Sequence, residues 1–250
     1  MPFLIILILS AISWGHELQY LGSHTKLNRQ QLSGWTHDLL VKASLSPHQA
    51  VGLQYGYLER FDNYDQRFGV LYQWKPLDNW TLDFKYLKGP DAIILPHDQY
   101  LASAYYSLAS GLSPYLTYTN SLYTVAHVQL LTLGMEIEKL KNIILIPQIM
   151  SGRSRFDNPD ETNSVYSYGL KLIYYREHEF ALSAFAYQGR EAAQGIIGES
   201  NFTLNTKTVG GSLGYYFMQD LRSEVIFDYT DYRKIQNQFL TTTLNIVKAF

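Results

Sequence analysis

Segment after segment, this chain alternates apolar and polar residues, and a two-residue period fits strands rather than helices. Phe68, Val70, Tyr72 and Trp74 stand against Arg67, Gly69 and Gln73. Tyr166, Tyr168, Leu170, Leu172 and Tyr174 stand against Ser167, Gly169 and Lys171. Near the end, Leu221, Ser223, Val225, Phe227 and Tyr229 alternate with Arg222, Glu224, Ile226, Asp228 and Thr230. A short polar link, Asp231 to Gln238, leads into a last alternating run that stops on Phe250. A chain that ends on an aromatic in mid-strand must satisfy that strand by pairing elsewhere. Closure onto the first strand is the economical solution.

Taken in order, the segments fall near 17–24, 35–45, 51–57, 67–74, 80–86, 97–108 and 112–119. They continue near 124–138, 142–150, 166–174, 180–188, a run ending at 209–217, then 221–230 and 239–250. That is fourteen strands, or twelve if the weakly patterned first segment and the one holding Pro147 are discounted. Proline cannot donate to a ladder, so an irregular or bulged strand is expected at Pro147. Ser46-Pro47-His48-Gln49 and Pro76-Leu77-Asp78-Asn79 read as tight turns. Connections after even-numbered segments are short and those after odd-numbered ones mostly longer. The longest expected loops are 151–163 and 189–202. An even count with this asymmetry is the signature of an antiparallel transmembrane β-barrel with both termini at its short-turn end.

Composition agrees with that reading. The 21 Tyr and 12 Phe suit strands that meet a membrane–water boundary. Trp74 and Trp80 bracket one turn as an interfacial girdle would. No stretch is long and apolar enough for a helical span, so a membrane is crossed by strands or not at all. Residues 2–12 are almost continuously apolar, too short to span and followed by Ser13-Trp14-Gly15. This predicts a signal peptide over 1–15 and a barrel domain over 16–250. A soluble β-sandwich also alternates, but here the aromatic face would be the lipid face. The expected location is the bacterial outer membrane.

Few residues point to chemistry. Cysteine is absent and the formal charge is -2 with signs interspersed, which excludes a disulfide framework and gives no nucleic-acid footprint. The histidines at 16, 24, 37, 48, 97, 127 and 178 have no Ser two residues away on the same strand face. No catalytic residue, cofactor or metal site is assigned; Asp157-Asn158-Pro159-Asp160-Glu161 lacks the glycine and ligand period of a calcium loop. The expected lumen-facing groups are Arg67, Asp83, Lys85, Lys171, Arg222, Glu224 and Asp228. They either select solutes by charge or pair across a filled interior. The apolar run Ala92-Ile93-Ile94-Leu95 has three readings: an inward plug, a lipid contact at the rim, or a strand extension.

The block Arg60-Phe61-Asp62 through Arg67-Phe68-Gly69 carries a resemblance, with Gly34-Trp35, Leu95-Pro96, Tyr187-Gln188-Gly189-Arg190-Glu191 and Asp231-Tyr232-Arg233. On these features the chain resembles the YaiO family of outer-membrane β-barrels. The resemblance implies a non-enzymatic barrel akin to the modules of exopolysaccharide export, a channel for polar solutes or polysaccharide. It supplies no catalytic residue. Its expected partners are outer-membrane lipid and lipopolysaccharide, and the barrel assembly machinery, which would read Phe250. Such barrels favour an aromatic two residues before the end, where this chain has Lys248. Two readings stand beside the channel: an enzyme acting on lipid A or phospholipid, and a structural or adhesive barrel working through its loops.

Overall fold

The computed structural model describes residues 16–27, 33–60, 63–156, 162–176, 179–193, 202–232 and 237–250. The expected signal segment 1–15 and the acidic run 157–161 lie outside the described residues. Seven strands make the first half: β1 His16–Leu27, β2 Ser33–Ser46, β3 Gln49–Arg60, β4 Asn63–Leu77, β5 Trp80–Lys88, β6 Asp98–Tyr106 and β7 Leu112–Leu122. The second half holds β8 Ala126–Leu140, β9 Ile143–Phe156, β10 Thr162–Arg176, β11 Phe180–Ala193, β12 Phe202–Met218, β13 Leu221–Tyr232 and β14 Asn237–Ala249. Each pairs antiparallel with its chain neighbours, and β1 pairs with β14 to close a single barrel. The strand count is therefore fourteen, not twelve.

Closure is complete along the seam. The register runs unbroken from Glu17↔Ala249 to Leu27↔Phe239, and the Phe250 amide donates to the His16 carbonyl at 2.8 Å. No sheet edge is left for another chain to pair with. Lys248 stands on the outward face beside the Phe250 ring, 5.6 Å from its centroid, and pairs with Asp220 in the turn between β12 and β13. That ammonium holds the exposed Asp220 carboxyl below its usual range. A charge two residues from the end is thus accommodated at the rim, where a lysine stem can lie on apolar surface while its head stays in water.

The register fixes which way each side chain points. One face carries Leu53, Val70, Phe84, Leu133, Leu172, Leu213 and Leu244, three of them more than half exposed. Only a lipid environment makes such a belt inexpensive. Aromatics bound it at both levels. Near the short turns lie Trp74, Trp80–Tyr106 (rings 4.8 Å apart) and Tyr174–Phe180 (5.9 Å). Toward the other end lie Tyr55–Phe68 (5.3 Å), Tyr86–Tyr100 (4.9 Å), Tyr118 and Tyr166. Tyr174 and Tyr166 are eight residues apart on β10. At about 3.3 Å per residue and a tilt near 40°, the belt is roughly 20 Å tall.

Three local expectations are corrected. β9 runs on to Phe156 and β10 starts at Thr162, so most of the expected loop 151–163 is strand. β11 likewise runs on to Ala193 and β12 starts at Phe202, so residues 189–193 and 202 of the expected loop 189–202 are strand. Pro147 sits in β9 without a register slip: Gly134↔Gln148 and Ile137↔Leu145 share one register, and the bulge falls between Ile137 and Leu140. Pro147 keeps its place opposite Leu170 on β10, while Met135 and Glu136 of β8 have no ladder partner across from it. The missing donor costs ladder bonds locally and does not shift the strand.

Inward aromatics lie along the wall over glycines of the next strand. A Cβ at Gly169 would meet Tyr187 Cδ1 at 1.8 Å and the Ala186 carbonyl oxygen at 2.8 Å. One at Gly134 would meet Tyr115 Cζ at 2.2 Å. Gly169→Ala should therefore cost about 1–3 kcal/mol, the usual range for overpacking. The urea midpoint of barrel refolded into lipid vesicles measures this, and an unchanged midpoint would mean that the ring simply moves aside.

Candidate functional site

Fourteen strands 4.8 Å apart at a tilt near 40° enclose a backbone diameter of about 28 Å. Eight strands fill their own interior and sixteen leave a channel. Here every described strand belongs to the wall and none runs through the lumen. The site to read is therefore the inner wall and its mouths.

The register places Arg67, Asp83, Lys85, Lys171, Arg222, Glu224 and Asp228 on this inner face, opposite the apolar belt. It also places Asp38 there, which the sequence reading missed, because Leu39, Leu40 and Val41 on either face blur the alternation of β2. Asp38 is the hub. Its carboxylate accepts from Arg67 Nη2 at 2.8 Å and from Gln54 Nε2 at 2.8 Å, and is 8% exposed. Gly56 makes room, since a Cβ there would lie 2.5 Å from Asp38 Oδ1. The other carboxylates are held by neutral donors: Asp83 by Gln73 Nε2 at 2.8 Å and Glu224 by Ser212 Oγ at 2.6 Å. The candidates are therefore not one cluster. They are spread around the wall on several strands.

Both signs share the wall in near balance, with Lys42, Arg60, Lys75 and Arg67 among the bases and Glu17, Asp65 and Glu136 among the acids. The wall is not uniformly polar either: Leu71 and Leu101 flank Lys85 on adjacent strands. An aromatic arc continues round it. Tyr105 stacks on Tyr115 (5.5 Å), the Tyr115 hydroxyl donates to Gln148 Oε1 at 2.9 Å, and Tyr187 lies beyond Gly169.

At the end away from the termini, the structure decides among the three readings of Ala92–Leu95. The loop folds inward. The backbone amides of Ile93, Ile94 and Leu95 all donate to the Asp65 carboxylate, at 2.9, 2.6 and 2.7 Å. Asp65 is an inward-facing residue of β4, only 3% exposed, in a stretch the sequence reading gave to a loop. Ala92 is 3% exposed, and its carbonyl accepts from Thr124 Oγ1 in the connection between β7 and β8. In that connection, burial pushes the Tyr123 phenol up, while the positive Arg67 acts in the opposite sense. Together these contacts draw two connections over the wall beside the Asp38–Arg67 pair.

Among the described residues no hydrolytic site is assembled. At the mouth the hydroxyl–imidazole pair, His97 Nε2 with Thr124 Oγ1 at 2.8 Å, is exposed, and no described carboxylate orients the ring. It ties the two loops together. Among the described residues no group of three His, Cys, Asp or Glu is placed to hold a metal. A concavity of about 1140 Å³ is lined on the outer wall by Trp80, Pro114, Leu133, Pro147 and Leu170, which face lipid.

Comparison with known proteins gives fold and not family. No protein-family model matches the chain, and no curated protein matches it in sequence. Among solved structures it is similar to the CymD monoaromatic hydrocarbon channel (TM-score 0.64, 10% identity, 97% of this chain and 90% of that one). It is also similar to a bacterial polysaccharide outer membrane secretin (TM-score 0.59, 10% identity, 94% and 98%). A third likeness is to a loop-deletion mutant of OmpT, an outer membrane protein of Vibrio cholerae (TM-score 0.56, 8% identity, 93% and 98%). The fold is that of a bacterial outer-membrane β-barrel. Short turns and termini then mark the periplasmic end, and the Asp65-held loop lies at the external mouth.

Proposed function

We propose that this barrel is a weakly selective outer-membrane channel for small polar solutes, narrowed at its external mouth by the β5–β6 loop. The observation that carries the reading is the anchoring of that loop on Asp65. A barrel serving only as a scaffold needs no buried carboxylate to hold an apolar loop over its own lumen. The near balance of signs on the wall predicts a permeability ratio for potassium over chloride close to one. Purified, folded protein in a planar bilayer under a KCl gradient should show discrete conductance steps and a reversal potential near zero. Silence from protein that is demonstrably folded would end the channel reading.

A narrower form follows the YaiO resemblance: passage of saccharide during polysaccharide export. The arc Tyr105–Tyr115–Gln148–Tyr187 supports it, because ring faces and amide and hydroxyl groups along one wall suit the two faces of a pyranose. Block of the bilayer current by a neutral linear oligosaccharide, relieved in Tyr115→Leu, is the expected result. The enzymatic reading has no constellation among the described residues to support it.

A further inference from the structure

Beyond the lumen, the strands β8, β9 and β10 carry on past the lipid belt at the external end, and their outward face changes character abruptly. Leu131, Leu133 and Ile149 lie in the belt, and Tyr166 and Tyr168 close it. On that same face, Gln129 stands opposite Arg153 and His127 opposite Arg155. Arg153 is also paired with Ser164, two residues beyond Tyr166, which puts it about 5 Å above the aromatic level. Both arginines are exposed, and among the described residues neither makes an ion pair or hydrogen bond, in contrast to outward-facing Lys88, which pairs with Asp98 at 3.7 Å. His127 is turned toward β7, its Nε2 meeting Asn120 Oδ1. The carboxylates nearest in sequence, Asp157, Asp160 and Glu161, lie outside the described residues.

We propose that Arg153 and Arg155, with His127 and Gln129 at their flank, bind the phosphate of an outer-leaflet glycolipid, the phosphorylated lipid A of lipopolysaccharide. The reasons are position and chemistry. Acyl chains lying on Leu131, Leu133 and Ile149 bring a headgroup to the height of Arg153, where the leaflet carries its phosphates. Two guanidinium groups on alternate residues of one strand face present planar forks that match phosphate oxygens in pairs. An exposed arginine pair at the lipid boundary, with no partner among the described residues, is free to meet the lipid. This is a site on the outer wall, and it stands whether or not the lumen conducts.

The test uses the full-length folded barrel in detergent, titrated with bisphosphorylated lipid A and followed by native mass spectrometry and by its thermal unfolding midpoint. The wild-type barrel should retain lipid A and unfold at a higher temperature in its presence. Arg153→Ala/Arg155→Ala should weaken binding about tenfold or more, as expected for losing a charge-assisted contact of at least 1.4 kcal/mol. Arg153→Lys/Arg155→Lys should recover only part of it, since lysine keeps the charge and loses the fork. Heat-dependent gel mobility shows that each variant is folded; should the alanine pair fail to fold, Arg153→Gln/Arg155→Gln takes its place. Equal binding by the double variant, or by fully dephosphorylated lipid A, would overturn the proposal. So would displacement by millimolar inorganic phosphate with no preference for the lipid.

Discussion

Asp65→Ala should turn a narrowed channel into a wide and noisy one. The carboxylate holds three consecutive amides of the β5–β6 loop at 2.6–2.9 Å. Hydrogen bonds to a charged group contribute about 1.5–3 kcal/mol each. The other polar contacts of the loop are the Thr124 hydroxyl on the Ala92 carbonyl, the His97–Thr124 side-chain bond, and the Gly89–His97, Ala92–Gly89 and His97–Leu122 backbone bonds, none of them to a charged group. Without Asp65 the three amides seek water, and Ile93, Ile94 and Leu95 leave the wall. Single-channel conductance should rise by a clear step, with more open-state noise, while thermal stability of the barrel changes little because the ladder is untouched. Asp65→Asn should fall between, since an amide has one accepting oxygen for three donors. Proteolysis or hydrogen exchange confined to residues 89–97 gives an independent readout. Unchanged conductance in Asp65→Ala would show that the loop does not limit flow, whatever holds it.

Asp38→Ala is expected to have the second large effect, on both selectivity and stability. It removes the acceptor of Arg67 and of Gln54, whose Oε1 is already buried without a partner. Losing one member of a buried pair costs about 3–5 kcal/mol, but Arg67 is 20% exposed toward a wet lumen, so roughly 2 kcal/mol is the expected loss. Selectivity follows from the same change. Lys85 lies near enough to interact electrostatically with both Arg67 and Asp38, so deleting the carboxylate leaves two cations facing the lumen. The reversal potential should move toward chloride, more at low salt than at high, because screening shortens their reach. In Asp38→Ala/Arg67→Met both effects should shrink, and the cycle gives the coupling between the two side chains. An unaltered reversal potential would place this pair away from the conduction path.

Much of the architecture was legible because the two-residue period is a local property. Twelve of the fourteen segments could be recognised from their own residues, the first and the one holding Pro147 only weakly, and the inward placement of Arg67, Asp83, Lys85, Lys171, Arg222, Glu224 and Asp228 follows from parity. Where local signals were weak, the reading drifted. The polar stretches at 151–156 and 189–193 looked like loop because they have left the lipid belt, yet they continue as strand since their neighbours still offer a ladder. Pro147 looked like a bulge because the sequence shows the missing donor and not the neighbouring strands that hold the register around it.

Alternation and an even count of segments thus pointed by themselves to a membrane barrel, because burial against lipid is a per-residue requirement that pattern can express. Tertiary structure alone decided that Asp38 pairs with Arg67 from 29 positions away, that Asp65 captures Ile93–Leu95, and that Lys248 of β14 meets Asp220 in the turn before β13. Those contacts depend on register and on how loops fold back. Register is set by the whole closed ladder, and no single segment records it.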